Sequence, residues 1–430
     1  MNRLIKIFVV ILTLSVLLVL SGCSKTASTN PATSNEQNQT IDPSNQVNSN
    51  IPALVREKKT IELTNIKFEE VPLPNDCKTI GWIDTSDNFV LFSGGTGKPS
   101  SSTPPCLTYI ERLYSYDIET KKFKTIAEID KGFVQIDWVG ADKNWIVYRE
   151  IAYEFGGPER IYVIDRNNNT KRVVFEKNEC ASCEGVSSSH PFNVSLWNDY
   201  LILPQFSFEP TKRDKDGKIT DGLFHNSIKI INLKTNESKE IFDKSSSLSQ
   251  SGAIFSTSVN SDYLVFNYAE GGKQTIYAYS LNNDAPKEII EVPLMSDLTG
   301  SNNFFTTHVL LTEDNQIIFD YPKDAKSNLF STVIAPIENI NLMKSLFDTI
   351  PSSYIMWPKF ESKDYIVWSN RQESTLNIIN RNSGVLTSIN GVVGSAGWIN
   401  SDEIVLDYGK PVNDNFIEEL LFIKLSENGL

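Results

Sequence analysis

Histidine is nearly missing from this chain. There are three in 430 residues, beside five cysteines. That leaves little material for a zinc or haem centre, so no metal and no cofactor are expected. No G-x-S-x-G elbow, no H-E-x-x-H helix and no P-loop occurs, which excludes the enzymes that carry those signatures. Positive charge is also short, with 40 Lys and Arg against 53 Asp and Glu and a formal charge of −13. A surface of that sign does not release counterions from a phosphate backbone, so no nucleic-acid partner is expected. Helical 3.6-residue periodicity is scarce, which excludes helical solenoids. What is present is a hydrophobic share of 40% and an aromatic share of 10%. That is enough for a packed core in one large domain or two to three ordinary ones.

The one long apolar run is at 7–20, behind Arg3 and Lys6. It falls short of the roughly 20 apolar residues a comfortable span needs, and it ends in small residues, as a secretion signal does. The residues Leu20, Ser21, Gly22 and Cys23 resemble the bacterial lipobox. The resemblance implies cleavage before Cys23 and lipidation of that residue, hence a cell-membrane, lipid-anchored, extracytoplasmic protein. Residues 1–22 are then the signal peptide and 23–57 a lipidated Cys with a disordered tether. The tether is rich in Ser, Thr, Asn, Gln and Pro and too poor in apolar side chains to offset its ordering entropy. Its reach as a coil is roughly 30 Å.

From residue 58 to 430 the dominant signal is repetition. A polar residue, usually Asn or Asp, is followed by a variable residue and then three apolar ones. The seven copies are NFVLF at 88–92, NWIVY at 144–148, DYLIL at 199–203, DYLVF at 262–266, NQIIF at 315–319, DYIVW at 364–368 and DEIVL at 402–406. β-Branched and aromatic residues bounded by polar turns read as strands, and unbroken apolar runs mean that both faces are covered. A second strand follows each copy, as in LYSYD at 113–117, IYVID at 161–165 and LNIIN at 376–380. Most continue through a polar turn into a third strand. Another strand precedes each copy, with Trp82, Trp138, Trp197 and Trp398 in four of them. Four antiparallel strands per repeat of about 40–50 residues predict an all-β β-propeller of seven four-stranded blades. The degenerate fifth repeat keeps six or eight blades as alternatives. Residues 59–73 read as one extra strand that supplies the missing outer strand of blade seven and closes the ring.

The segments WSNR at 368–371, LNIIN at 376–380 and IYVIDR at 161–166 resemble the repeat of TolB-like and WD40-like bacterial propellers. Lipobox, tether and propeller together resemble lipoproteins of Gram-positive bacteria.

Loops between the second and third strands of a blade share one face with the connections between blades. That face carries the long segments 93–112, 149–160, 177–191 and 204–227, all in blades one to three. The opposite face keeps tight turns. Long loops on a rigid scaffold are where function usually sits. The candidate binding residues there are Arg149, Glu150, Tyr153, Glu154 and Arg160 in one loop, with His190 and His225 in blade three. Asp214, Asp216 and Gly217 match positions 3, 5 and 6 of a calcium loop. Lys212 and Leu223 stand where position 1 and 12 acids belong, so a hairpin tip explains the segment better. In an exported chain, Cys180 with Cys183 and Cys77 with Cys106 are expected as disulfides.

No catalytic residue is assigned. The expected function is a non-catalytic binding or scaffold propeller for a protein or envelope glycan, anchored to the membrane through Cys23 and monomeric. The alternative is a propeller enzyme, a polysaccharide lyase or hydrolase, with its site on the long-loop face.

Overall fold

The computed structural model describes residues 53–430, apart from 87, 98–108, 153–157, 178–186, 192–193, 218, 248, 251, 272, 282–284, 294–308, 323–329, 350–356, 362–363, 371–373, 393–395 and 413–414. Two N-terminal strands, β1 (Glu57–Glu62) and β2 (Glu69–Pro72), precede the ring. Blade one is β3 (Thr79–Ser86), β4 (Phe89–Gly95), β5 (Arg112–Asp117) and β6 (Lys122–Glu128). Blade two is β7 (Gln135–Ala141), β8 (Trp145–Ile151), β9 (Glu159–Asp165) and β10 (Thr170–Lys177). Blade three has β11 (Ser187–Pro191), β12 (Ser195–Trp197), β13 (Tyr200–Arg213), β14 (Ile219–Asn232) and β15 (Ser238–Ser247).

Blade four is β16 (Ala253–Val259), β17 (Tyr263–Glu270), β18 (Lys273–Ser280) and β19 (Lys287–Pro293). Blade five is β20 (Leu310–Leu311), β21 (Gln316–Pro322), β22 (Phe330–Pro336) and β23 (Lys344–Thr349). Blade six is β24 (Trp357–Glu361), β25 (Tyr365–Asn370), β26 (Thr375–Asn380) and β27 (Val385–Asn390). Blade seven is β28 (Ala396–Asn400), β29 (Glu403–Val412) and β30 (Asn415–Lys424). The molecule is thus a seven-bladed β-propeller. Each sequence copy supplies the second strand of a blade, and first strands of neighbouring blades meet around the centre, as β3 does with β7 and β28.

The polar residue that opens each copy has a backbone role that repeats in every blade. Its carbonyl accepts the N–H of the residue just past the third strand. The pairs are Asn88 with Ile118, Asn144 with Arg166, Asp199 with Leu233, Asp262 with Leu281, Asn315 with Ile337, Asp364 with Arg381 and Asp402 with Leu425, at 2.6–3.1 Å. The bond ties the two tight turns of a blade to each other. Asx side chains shape the first of these turns: Asp142 Oδ1 accepts from the N–H groups of Asn144 and Trp145 at 2.7 and 2.8 Å.

The residue after each copy is polar in six of seven blades: Ser93, Arg149, Asn267, Asp320, Ser369 and Asp407, with Pro204 the departure. In three blades its side chain serves a β-bulge in the first strand. Ser93 Oγ accepts from Trp82 N–H at 3.0 Å, beside the bulge between Ile80 and Ile83. Asn267 Oδ1 accepts from Ser256 N–H and Oγ at 2.7 and 2.9 Å, beside the bulge between Ile254 and Ser256. Arg149 forks onto Asp137, the residue bulged out between Ile136 and Trp138. In blade three, opposite Pro204, the first strand is split into β11 and β12.

The segment expected as one strand at 59–73 is two strands with a reversal between them. β1 adds a parallel fifth strand to blade six, in register from Glu57 with Val385 to Glu62 with Asn390. Leu63 and Ile66 then turn into the core between blades six and seven, against Val367, Ile378, Ile404 and Leu421. β2 pairs antiparallel with β30 and completes blade seven. The chain's attachment begins before the expected boundary, because Ala53 bridges Ser345 of blade five. Blade seven also joins blade one through Glu418, whose carboxylate accepts from Thr79 Oγ1 at 2.9 Å and from Ile80 N–H.

The segment 204–227, expected as a long loop, is mostly regular sheet. β13 and β14 pair from Tyr200 with Asn232 out to Arg213 with Ile219, and β15 follows as far as Ser247. The hairpin carries blade three about 25–30 Å past Pro204 on the long-loop side. Its polar tip is closed by Gly217 at φ +79 and by the Gly217 N–H donated to Asp214 O at 3.0 Å.

Candidate functional site

Strand alternation sends the side chains of β8 to two different seams. Ile146 and Tyr148 join the core shared with blade one, where Leu91 and Leu113 lie, while Trp145 and Val147 join the core shared with blade three. The expected cluster of Arg149, Glu150 and Arg160 is therefore divided. Arg149 faces blade three and holds Asp137 in a two-point contact, Nε to Oδ1 at 2.8 Å and Nη2 to Oδ2 at 2.6 Å. Both side chains are largely buried. Nearby, Lys177 and Glu159 form a second buried pair at 3.5 Å. Arg149 thus serves the bulge and the seam between blades two and three.

Glu150 stands at the seam between blades one and two and is fully buried. Its Oε2 accepts a long bond, 3.4 Å, from the Asp130 N–H, and its Oε1 has no hydrogen-bond partner. Burial pushes the carboxyl up to about 7, and the neighbouring Asp130 charge adds to that, against the pull of Lys171 and Arg160. Asp130, in the connection from β6 to β7, gathers the rest of the group. It accepts from Tyr162 OH and from Arg160 Nη1 at 3.3 Å, and lies 4.0 Å from Lys171 Nζ. Arg160 is engaged again by Glu176 at 2.6 Å and lies over the Phe133 ring at 5.0 Å. Lys171 Nζ sits 3.8 Å above the Tyr162 ring, which stacks on Tyr148 at 5.1 Å. Tyr148 OH is buried without a partner, and burial holds its phenol well above the ordinary range. The group is an acid pair already faced by the Lys171 ammonium, the Arg160 guanidinium and two aromatic rings.

His225 lies apart, on the raised part of blade three. Its Nδ1 is 2.7 Å from Ser245 Oγ, and its Nε2 is 3.6 Å from Glu209 Oε2. These residues come from β14, β15 and β13 in turn. Phe224 stacks on Phe206 at 5.4 Å and meets Phe208 at 4.7 Å. In the register, His190 on β11 stands opposite Phe206, and His225 stands opposite Ser207, the next position of β13.

Tyr153, Glu154, Cys23, Cys106, Cys180 and Cys183 lie outside the described residues. Cys77 is a buried free thiol whose Sγ is 3.4 Å from Thr79 O, and burial pushes the thiol up to about 12. Among the described residues, no three His, Cys, Asp or Glu are placed to hold a metal, and no helix is long and apolar enough to cross a membrane.

Sequence reasoning missed Asp130, Tyr148, Tyr162 and Lys171. A signal was there. Two residues past each copy the chain has Gly94, Glu150, Gln205, Tyr268, Tyr321, Asn370 and Tyr408. Glu150 is the one acid in that series, at a position where strand alternation turns the side chain into a seam.

No family model matches the chain, and no curated protein matches its sequence. Solved structures do resemble it. A prolyl endopeptidase aligns with TM-score 0.54 and 9% identity, over 82% of this chain and 49% of that one. The likeness is one of fold. The chain spans about half the length of that prolyl endopeptidase. TolB from Acinetobacter baumannii aligns with TM-score 0.36 and 16% identity, over 65% of this chain and 59% of TolB. An oligogalacturonate lyase in complex with manganese aligns with TM-score 0.38 and 8% identity, over 84% of this chain and 97% of the lyase.

Proposed function

We propose that this chain is an envelope lipoprotein, anchored through Cys23, whose propeller binds a protein or glycan without transforming it. The observation that carries the reading is the unequal construction of the two faces. One face is closed by short Asx-shaped turns, and the other lifts the blade-three sheet clear of the ring. Leu223 on that sheet is 37% exposed. The blade one–two seam holds its charges against one another. Arg160 and Lys171 both answer Asp130, and Arg160 also answers Glu176. The chain's charge of −13 suits a basic or neutral partner.

The test is binding of wild-type protein to isolated cell-envelope fractions, beside two variants. One replaces 205–227 with a two-residue turn. The other is Asp142→Asn on the tight-turn face. Loss with the shortened hairpin alone is expected, and equal retention by both variants would remove the long-loop face from consideration. Weaker binding at high salt is expected for a basic partner.

The enzyme alternative draws on one observation, the Ser245–His225–Glu209 line at 2.7 and 3.6 Å. An imidazole held between a hydroxyl and a carboxylate is an arrangement that can activate the hydroxyl. Hydrolysis of nitrophenyl esters or of a polyuronate, abolished by His225→Ala and by Ser245→Ala, would favour that reading over plain binding.

A further inference from the structure

Blade six is complete without β1. Its four strands pair in order, and five of the six side chains of β1 are exposed, Ile61 alone being half-buried. Such a strand contributes little hydrophobic stabilisation. It is nonetheless held closely. Six residues pair in parallel register with β27. The N–H groups of Arg56 and Glu57 donate to Gly384 O at 2.8 and 3.4 Å, and Leu54 N–H donates to Ser345 O at 2.7 Å. Asn390 Nδ2 donates to Glu62 Oε1 at 2.9 Å. Gly384 is fitted to the contact: its φ is +71, and a Cβ there would lie 2.6 Å from Leu54 O.

The direction of the chain gives this strand a purpose. β1 starts beside Val385, at the turn between β26 and β27, and runs parallel to β27 away from the tight-turn face. The chain then comes back through the seam with Leu63 and Ile66. It reaches the tight-turn face at Lys67, whose N–H donates to Asn428 Oδ1 at 2.7 Å. Only then does it become β2, which closes the ring with four pairs. A pull on the chain ahead of Ala53, directed outward from the tight-turn face, first loads the Ala53 and Leu54 contacts with Ser345 of blade five and then acts along the axis of β1, against its direction. The evenly spaced bonds of a parallel ladder then share the load in shear instead of parting one by one. Without β1, the same pull would fall on the Leu63–Ile66 plug and then on the shorter β2, whose loss opens blade seven.

We infer that β1 is a mechanical clamp that takes tension from the N-terminal tether before the ring-closing strand is loaded. The inference rests on the lipid anchor for the source of the tension, so the experiment supplies the tension itself. Residues 23–430 carry one handle at the N-terminus and a second inserted between Asp216 and Gly217, on the opposite face, and are stretched in optical tweezers. The comparison protein has residues 57–62 replaced by Gly and Ser at equal length. Forced opening is governed by the barrier and not by equilibrium stability. Wild type is expected to show a small first release before the ring opens. The replacement should lose that release and open at a force lower by about twofold. Its unloaded melting temperature should move by no more than about 2 °C. Gly384→Val, which leaves β1 intact but crowds its start, should show the same signature at smaller amplitude. An unchanged opening force would overturn the inference. So would a melting temperature lowered as far as by removal of β2, which would make β1 an ordinary element of closure. Incorporation of labelled fatty acid at Cys23 reports on the anchor separately.

Discussion

The seam between blades six and seven and the seam between blades one and two are built from opposite materials. The first has an aliphatic centre and an aromatic rim without a buried carboxyl: Leu63 and Ile66 from the N-terminal segment meet Val367, Leu376, Ile378, Ile404, Leu421 and Ile423, with Phe68, Tyr365, Trp398 and Tyr408 packed around them. The second is aliphatic at its centre, with Leu91, Leu113, Ile136 and Ile146, and ends at the long-loop side in Tyr148, Glu150, Asp130 and Lys171. An apolar seam of this kind responds to volume and, between pH 5 and 8, is indifferent to pH. A seam that ends in a buried carboxyl responds to both. The closure of the ring and its candidate recognition group are therefore tuned by different variables.

The contrast can be broken most severely from the closure side. Deleting residues 53–74 removes both N-terminal strands and the Leu63–Ile66 plug, and leaves the outer edge of β30 bare. Loss of a single cooperative melting transition, with aggregation, is expected by calorimetry and light scattering. A smaller cut is Leu421→Ala, at a fully buried position of the same seam. It should cost about 2–5 kcal/mol in denaturant titration, with no dependence on pH between 5 and 8.

On the charged side the dependence reverses. The folded carboxyl of Glu150 is raised from 4.5 to about 7. Between those values the folded protein holds a proton that the unfolded chain has given up. Stability contributed by the neutral carboxyl is thus complete below about pH 4.5 and is lost as pH rises through 7, by about 3 kcal/mol in all. The melting temperature of wild type should fall across that window, and that of Glu150→Gln should fall less. The mildest change is Lys171→Ala. Its ammonium lies over two rings at a partly exposed site, worth about 0.5–1 kcal/mol. Because Lys171 lowers the Glu150 carboxyl, the loss should be larger at pH 8 than at pH 5. Equal losses would separate the two residues.

Much of the ring was legible in the sequence because seven copies of one strand carry their own turn residue. That residue, Asn or Asp, is where the two turns of a blade are joined, so periodicity and geometry coincide. The N-terminal segment was harder to read. β1 is exposed along almost its whole length and leaves no alternation to mark where it stops, and its reversal at Leu63 needs no Gly or Pro. The raised hairpin of blade three read as a loop because its tip, 212–222, is strongly polar, although Phe206, Phe208 and Phe224 recur at strand spacing. Of the residues named from the sequence, Glu150 and Arg160 stand in the blade one–two group, and Arg149 stands at the bulge on the other seam. Asp130 could not be placed beforehand, since it reaches the group from another blade's connection and no spacing within blade two announces it.

Pro204 has a consequence for anyone wishing to rebuild this molecule. It is the single copy in which the residue after the repeat has no polar side chain to offer the first strand, and there that strand is interrupted while its neighbours run on outward. Foreign hairpins grafted at the equivalent of Ser93 or Asn267 would have to replace a bulge contact that the ring uses. Grafted beyond Pro204 but short of Asn226, which accepts from Ile254 N–H and donates to Gly252 O beside the blade-four bulge, they would replace none, which makes blade three the natural socket for transplanting a new recognition element onto this scaffold.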